Sequence, residues 1–388
     1  MKAFSMETRK LACALLALSG LVWVAPGFAG DEQSILGSLK TITTIGSTVP
    51  ANGDLNPYGM AQVKQTVGNL RAGHILVSNF NDSGNFQGTG TTIVDVAPGG
   101  TVSLFATIDA TALGNSCPGG VGLTTALVVL KQGWVIVGSL PTANKGSTFT
   151  GSGCLIVLDS LGNTVETFYG SLINGPWDMT AFEGEHEARL FVTNVLNGTV
   201  AAGGAVVHGG TVTRLNLKVS GTALPALESI TIVASGFPER TDPAALVIGP
   251  TGVALRVDGD TDGYCDHDED ARLYVADTLN NRITVIERPL SRTTSGGTGR
   301  TLTSGGSLNG PLGLIATPGG HLLTVNSGDG FITEITPSGA QIAKTLLDSS
   351  GSPPGAGALF GLVYDPAPGP AHGIYYVDDA VNTVNLLH

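Results

Sequence analysis

Short apolar runs with a period of two, broken by Gly, Asn, Asp and Pro, fill the chain from about residue 40 onward. The clearest is Leu273-Tyr-Val-Ala-Asp-Thr-Leu-Asn-Asn-Arg-Ile-Thr-Val-Ile-Glu287. Leu273 and Val275, then Ile283 and Val285, alternate as the buried faces of two strands, and Asp-Thr-Leu-Asn-Asn forms the turn between them. No helical stripe longer than about ten residues follows the N-terminal segment.

The unit recurs. Each copy opens with a Pro/Gly or Asn/Gly entry into a short apolar strand. A second alternating strand ends in Asn or Asp, and a third and usually a fourth complete it. The first copy runs from Asn56-Pro-Tyr-Gly through His74–Asn81, Thr91–Val96 and Thr101–Ala106. The others open at Gly122-Leu-Thr-Thr, Asn174-Gly-Pro-Trp-Asp, Gly249-Pro-Thr-Gly, Asn309-Gly-Pro-Leu-Gly and Leu359-Phe-Gly. The entry positions Gly59, Gly122, Asp178, Gly252, Gly313 and Gly361 lie 48 to 74 residues apart, room for four short strands. Six copies predict an all-β fold, a six-bladed β-propeller. The last copy is short. Leu39-Lys-Thr-Ile-Thr-Thr-Ile45 alternates as a strand, and it is expected to join the last blade and close the ring, which removes open sheet edges.

Composition agrees: 56 glycines in 388 residues and 13% charged residues suit short strands joined by tight turns. Residues 1–29 read as an export signal. Lys2, Arg9 and Lys10 precede an apolar run ending at Pro26, and Gly27-Phe-Ala29 offers small residues for cleavage. The run is short for a membrane span, so no membrane insertion is expected after its removal, and the mature chain, 30–388, is expected to be one propeller domain in the periplasm or medium. The signal carries three basic residues and one acidic one, so its loss takes the formal charge from −12 to −14. That balance excludes nucleic acid as a partner and favours cations near the surface. In an exported chain a disulfide is expected between Cys117, which precedes the second copy, and Cys154 in its third strand; Cys265 is left over.

Pro250-Thr-Gly-Val-Ala followed by Leu273-Tyr-Val-Ala-Asp-Thr-Leu-Asn-Asn-Arg-Ile resembles the NHL repeat, and the chain as a whole is similar to secreted bacterial NHL-repeat proteins. The wider similarity, at the level of fold, is to six-bladed propellers that include gluconolactonase-like hydrolases, strictosidine synthase-like proteins and peptidyl-amidoglycolate lyases. The lactonase-like resemblance implies a metal held by channel amides and carboxylates. Asn174 and Asn309 match such amides, while the first copy offers Asn56 where those families carry Glu.

In a propeller the start of each first strand and the end of each second strand meet on one face. That gathers Asn56, Tyr58, Asn79, Asn174, Trp177, Asp178, Asn194, Asp277, Asn309, Asn326 and Asp378 at one mouth of the channel, with Asn81 and Asp379 beside them. A mouth rich in amides and carboxylates suits a polar ligand or a hard cation. The competing reading is that Asn and Asp there bond their own turns. Asp178 and Trp177 stand out, since most other copies carry Gly with an aliphatic residue at that place; Asp178 is the candidate catalytic base. A second cluster, Asp258-Gly-Asp-Thr-Asp-Gly-Tyr-Cys-Asp-His-Asp-Glu-Asp270, has the spacing of a calcium loop. Asp258, Asp260, Asp262, the Tyr264 carbonyl, Asp266 and Glu269 would supply oxygen ligands to a structural calcium ion. The alternative is a solvated acidic insertion. His74 and His321 read as surface residues. No nucleophile elbow, zinc-protease signature or phosphate loop occurs. The expected function is therefore a binding or scaffold propeller for a small polar ligand or a protein; a metal-dependent hydrolase or lyase is the alternative.

Overall fold

The computed structural model describes residues 33–117, 119–146, 148–257, 270–369 and 371–388. The expected export signal and the expected calcium loop, residues 258–269, lie outside them. Six antiparallel sheets form a ring, each innermost strand packing on its two neighbours. Blade one is Leu55–Gln62, Ile75–Asn81, Thr92–Val96 and Val102–Thr107. Blade two is Leu127–Val129, Val135–Ser139, Cys154–Leu158 and Thr164–Phe168. Blade three has five strands, Pro176–Glu183, Glu187–Asn194, Val207–Ser220, Ala223–Asp242 and Leu246–Ile248. Blade four is Pro250–Val257, Ala271–Asp277, Arg282–Glu287 and Arg300–Ser304. Blade five is Pro311–Ala316, Leu322–Asn326, Phe331–Ile335 and Gln341–Leu346. Blade six takes three strands from the C-terminus, Leu359–Asp365, Gly373–Asp378 and Thr383–Leu387, and its fourth, Ile42–Ser47, from the other end of the chain.

That last strand pairs antiparallel with Thr383–Leu387 and closes the ring. Lys40 and Thr41 donate backbone N–H groups to the His388 carbonyl, extending the clasp. One helical turn, Ile35–Ser38, precedes it. The Ile35 and Leu36 N–H groups both donate to the Glu334 carboxylate at 2.9 Å, and Leu36 and Leu39 bury in the core between blades five and six. Glu334 also bonds His321. The surface position expected for His321 does not hold: its ring is buried, because this carboxylate needs a partner inside the fold. Cys117 and Cys154 form a disulfide with 5.5 Å between Cα atoms, tying the 3-10 segment Ala110–Ser116 to the third strand of blade two.

The entries to the innermost strands share one device. Pro57, Pro176, Pro250, Pro311 and Leu359 each pair with an Asn or Asp at or near the end of the second strand: Asn79, Asn194, Asp277, Asn326 and Asp378. Pairing then skips two residues and resumes at Met60, Met179, Val253, Leu314 and Leu362. This bulge turns the skipped residues toward the channel. The second skipped residue is Gly59, Asp178, Gly252, Gly313 or Gly361. A Cβ at Gly252, Gly313 or Gly361 would run into the carbonyl oxygen of Leu312, Phe360 or Tyr58 on the next blade. Glycine at these places lets neighbouring backbones touch, so the channel narrows to a waist.

Gly313→Ala is therefore expected to lower stability by about 1–3 kcal/mol, the range for overpacking a tight site. Gly319→Ala, at a turn with open space around it, is the control and should be neutral. Chemical denaturation of both variants checks this; equal midpoints would remove the close-approach argument.

Candidate functional site

The waist divides the channel into two cavities that share only Tyr58 and Thr125 in their walls. The entry-side chamber, at the N-terminal ends of the innermost strands, holds about 410 Å³. Its floor is the first skipped residue of each of the five bulges: Tyr58, Trp177, Thr251, Leu312 and Phe360. Tyr58 stacks on Phe360 with 4.6 Å between ring centres. Trp177 meets Tyr58 edge-on at 5.8 Å, and its indole N–H donates to the Tyr58 hydroxyl at 2.6 Å. Phe80 packs edge-on against both Tyr58 and Phe360. Burial, then the Asp178 charge, push the Tyr58 hydroxyl well above the usual tyrosine range, so it stays neutral.

A lid covers this chamber. The long strand Ala223–Asp242 runs past the outer edge of blade three and turns back at Pro243, Ala244 and Ala245 into Leu246–Ile248. Asp242 caps the turn by accepting from the Ala244 and Ala245 N–H groups and pairs with Arg240 at 2.8 Å. Ala245, Val247 and Ile248 face the chamber, and Gln87 of blade one donates to the Ala244 carbonyl at 2.7 Å. Glu239 stands fully buried at the base of the lid. One of its oxygens accepts from the Thr199 hydroxyl; the other has no hydrogen-bond partner among the described residues. Burial raises this carboxyl to about 7 against the hydrogen bonds that oppose it.

The structure sorts the eleven residues expected at one polar mouth into three groups. Asn56, Tyr58 and Trp177 line the entry-side chamber. Asp178 does not; the bulge turns it to the other side of the waist. The remaining seven line neither chamber. Asn194 and Asn326 accept from the backbone N–H groups of Asn174 and Asn309. Asn174 and Asn309 spend their side-chain N–H groups on Leu196, Asn197 and Asp329. Asn79 donates to the Thr48 carbonyl, and Asp277 pairs with Arg282 at 2.7 Å. Asp378 is buried beside Asp348 and is raised to about 6, by burial first and by that neighbouring charge second. Asn174, Asn194, Asn309 and Asn326 are thus engaged in turn clasps, while Asn79, Asp277 and Asp378 each keep a buried oxygen without a hydrogen-bond partner among the described residues. Phe80, Leu312, Phe360 and the lid were not anticipated. Phe360 and Leu312 occupy the same unit position as Trp177, and aligning the units on that position would have exposed them.

Beside the chamber, Asn56 donates to Asp379 at 3.0 Å, and burial followed by the Asp378 charge raises Asp379 to about 7. Among the described residues no three or more His, Cys, Asp or Glu side chains converge as a metal would need. The donors at this mouth do not fit the metal centre that the lactonase-like resemblance implies.

The chain is similar to three solved structures. A gluconolactonase from Xanthomonas campestris is 13% identical over 89% of this chain and 88% of its own, with a TM-score of 0.54. A calcium-binding regucalcin from Agrobacterium tumefaciens is 12% identical over 88% of this chain and 92% of its own, at 0.50. A streptogramin B lyase is 14% identical over 89% and 96%, at 0.48. The fold is that of the gluconolactonase-like six-bladed propellers. At these identities the likeness is one of fold. No protein-family model and no curated protein matches the sequence. Within this gluconolactonase-like propeller, the lid and the aromatic floor are described by the chain's own residues.

Glu239 gives a pH prediction. The unfolded chain releases this proton near 4.5 and the folded chain near 7, so folding stability falls as pH rises across that window. Glu239→Gln should match wild type below about pH 4.5 and exceed it above about pH 7, by a few kcal/mol at most. Melting curves of both proteins across that range test this. A constant offset between them would contradict it.

Proposed function

We propose that the protein is an exported binding propeller, of NHL type, that takes up a small, largely apolar ligand in the entry-side chamber. The observation that carries this is the closed aromatic floor of Tyr58, Trp177 and Phe360 under the Arg240–Ile248 lid. The chamber has the volume and the lining of a small-molecule site: an apolar wall with a few polar groups at its edge. Asn56, Gln87, Asp242 and Asp379 supply that edge and would orient a hydroxyl or carbonyl on the ligand. The ligand is thus more apolar than the Asn-rich sequence pattern suggests. The Cys117–Cys154 disulfide supports an oxidising compartment, in keeping with the signal-like residues 1–29. Calcium, held by Asp258, Asp260, Asp262, the Tyr264 carbonyl, Asp266 and Glu269, would brace the loop between the first two strands of blade four. That role is structural, and it draws support from the spacing of those residues and from a shared fold with a calcium-binding regucalcin.

A second reading, hydrolysis or lyase chemistry in the channel, is favoured by one observation. Asp379 keeps a buried oxygen without a hydrogen-bond partner beside Asn56, at the mouth where a lactone ring would enter. A screen of lactones and esters, with Asp379→Asn as control, addresses it; turnover lost in that variant would favour this reading over simple binding.

Two measurements test the binding proposal. The mature chain keeps Trp134 and Trp177, and Trp177 lines the chamber, so a bound aromatic ring should perturb its emission. A panel of small aromatic alcohols and lactones is expected to yield a saturable change, weakened by roughly tenfold in Phe360→Ala, which removes the stacking partner of Tyr58. No response across the panel, or equal affinity in the variant, would contradict the site. Separately, chelation should lower the melting temperature of wild type and leave an Asp260→Ala/Asp262→Ala variant unmoved. A chelator effect that persists in the variant would place the ion elsewhere.

A further inference from the structure

We infer that the exit-side chamber is a second binding site, for an organic ammonium ion, with the Asp178 carboxylate as its counter-ion. This cavity of about 450 Å³ runs from the waist to the C-terminal ends of the innermost strands. It is the size of a small-molecule site and is walled by all six blades. Met60, Leu127, Met179, Val253, Leu314 and Leu362 add apolar surface to a wall that also carries polar groups, with Gln62, Thr125 and Thr180 among its lining residues.

The charge at its floor has no counterpart in the other blades. Where Asp178 stands, four blades place glycine two residues after the strand entry: Gly59, Gly252, Gly313 and Gly361. The ring closes without a side chain there, so the fold does not require a carboxylate at this place. Asp178 accepts backbone N–H groups from Met179 at 2.8 Å and Val253 at 3.1 Å. Two backbone dipoles steady a carboxylate but do not neutralise it, and no cationic side chain pairs with it among the described residues. Its deep placement holds the carboxyl at about 7, mainly through loss of water. A positive group brought into the chamber would offset that loss and favour the ionised form.

Chemistry selects the ligand class. Calcium or magnesium needs about six or more oxygens and favours several carboxylates, whereas Asp178 stands alone at the floor and no three His, Cys, Asp or Glu side chains converge among the described residues. An anion would meet Asp178 at the floor in a protein that is already strongly acidic. An ammonium ion with a hydrocarbon body meets both demands, its charge on Asp178 and its body against the apolar part of the wall. The other titratable groups that face the chamber are Tyr58 at the waist, Tyr364 on the wall, and Lys64 and Glu183 toward the outer rim. Both tyrosines are raised by burial and stay neutral. Glu183 accepts from the Lys131 N–H, on the neighbouring blade-two hairpin.

Titration calorimetry of the mature protein with benzylammonium and benzyltrimethylammonium chlorides, and with neutral benzyl alcohol, tests the site. At about pH 8 at least one ammonium probe should bind, roughly tenfold or more weaker to Asp178→Asn. Glu183→Gln should bind as wild type does, because the rim charge is remote from the floor. At about pH 5 the wild-type affinity should fall, as Asp178 takes up its proton. Benzyl alcohol should not distinguish wild type from Asp178→Asn. Failure of both ammonium probes to bind at about 10 mM, or equal affinities for wild type and Asp178→Asn, overturns the proposal. The pH comparison needs no variant, so it decides the matter even if Asp178→Asn does not fold: equal affinity at both pH values also overturns it.

Discussion

At the waist of the channel the backbone of one innermost strand presses against the carbonyl of the next. Gly252 meets Leu312, Gly313 meets Phe360 and Gly361 meets Tyr58. Three contacts of the same kind, in successive blades, fix how closely the blades approach and so the bore of the channel. The bulge at each strand entry makes the approach possible and also aims the preceding residue at the entry side. A single backbone device thus yields the aromatic floor, the narrow waist and the separation of two chambers.

Around that waist, hydroxyl groups bridge from one blade to the next. Ser78 donates to the Thr124 carbonyl, Thr193 to the Thr251 carbonyl and Thr278 to the Pro311 carbonyl. Each bridge satisfies a carbonyl that the bulge or the strand entry leaves outside the sheet ladder. The first and last strands then share blade six, so the ring has no free edge where it closes. Against this stable frame stand several buried acids that are raised toward neutrality: Asp178, Glu239 and Asp379 at about 7 and Asp378 at about 6. Asp178 and Asp379 stand in the chamber walls, Glu239 at the base of the lid, and Asp378 next to Asp379 in the chain. Of these, Asp178 and Asp379 face open chambers and are the candidates for a charge that serves something other than packing.

Much of the architecture was legible in the sequence because alternation and turn chemistry repeat. Six entries, the pairing of Cys117 with Cys154 and the use of an N-terminal strand in blade six all follow from local pattern. The site was legible only in part. Asn194 and Asn326 look like ligand-facing amides in a linear reading, yet each accepts from the backbone of its own blade's entry turn. The sequence carries the residue type, and only the fold shows which partner that residue has. Asp178 was conspicuous as the one charged residue in a glycine position. The chamber it faces was not readable, because a two-residue bulge breaks the simple in-and-out alternation of a strand. The lid escaped notice because Arg240–Ile248 belongs to no repeat.

The two chambers differ in kind. The entry side offers aromatic rings under a latched hairpin, and the exit side offers a carboxylate at the floor of a chamber of mixed polarity. The propeller fold is similar to that of a gluconolactonase, but these surfaces come from this chain's own departures from its repeat, at Trp177, Asp178 and the lengthened blade three. The most direct test is crystallographic: soak crystals of the mature protein with 4-bromobenzyl alcohol and locate bromine by anomalous scattering. The account predicts a peak in the entry-side chamber, in contact with Trp177 and Phe360 beneath the lid. A peak only outside the channel, or an entry-side chamber filled by side chains, would contradict it.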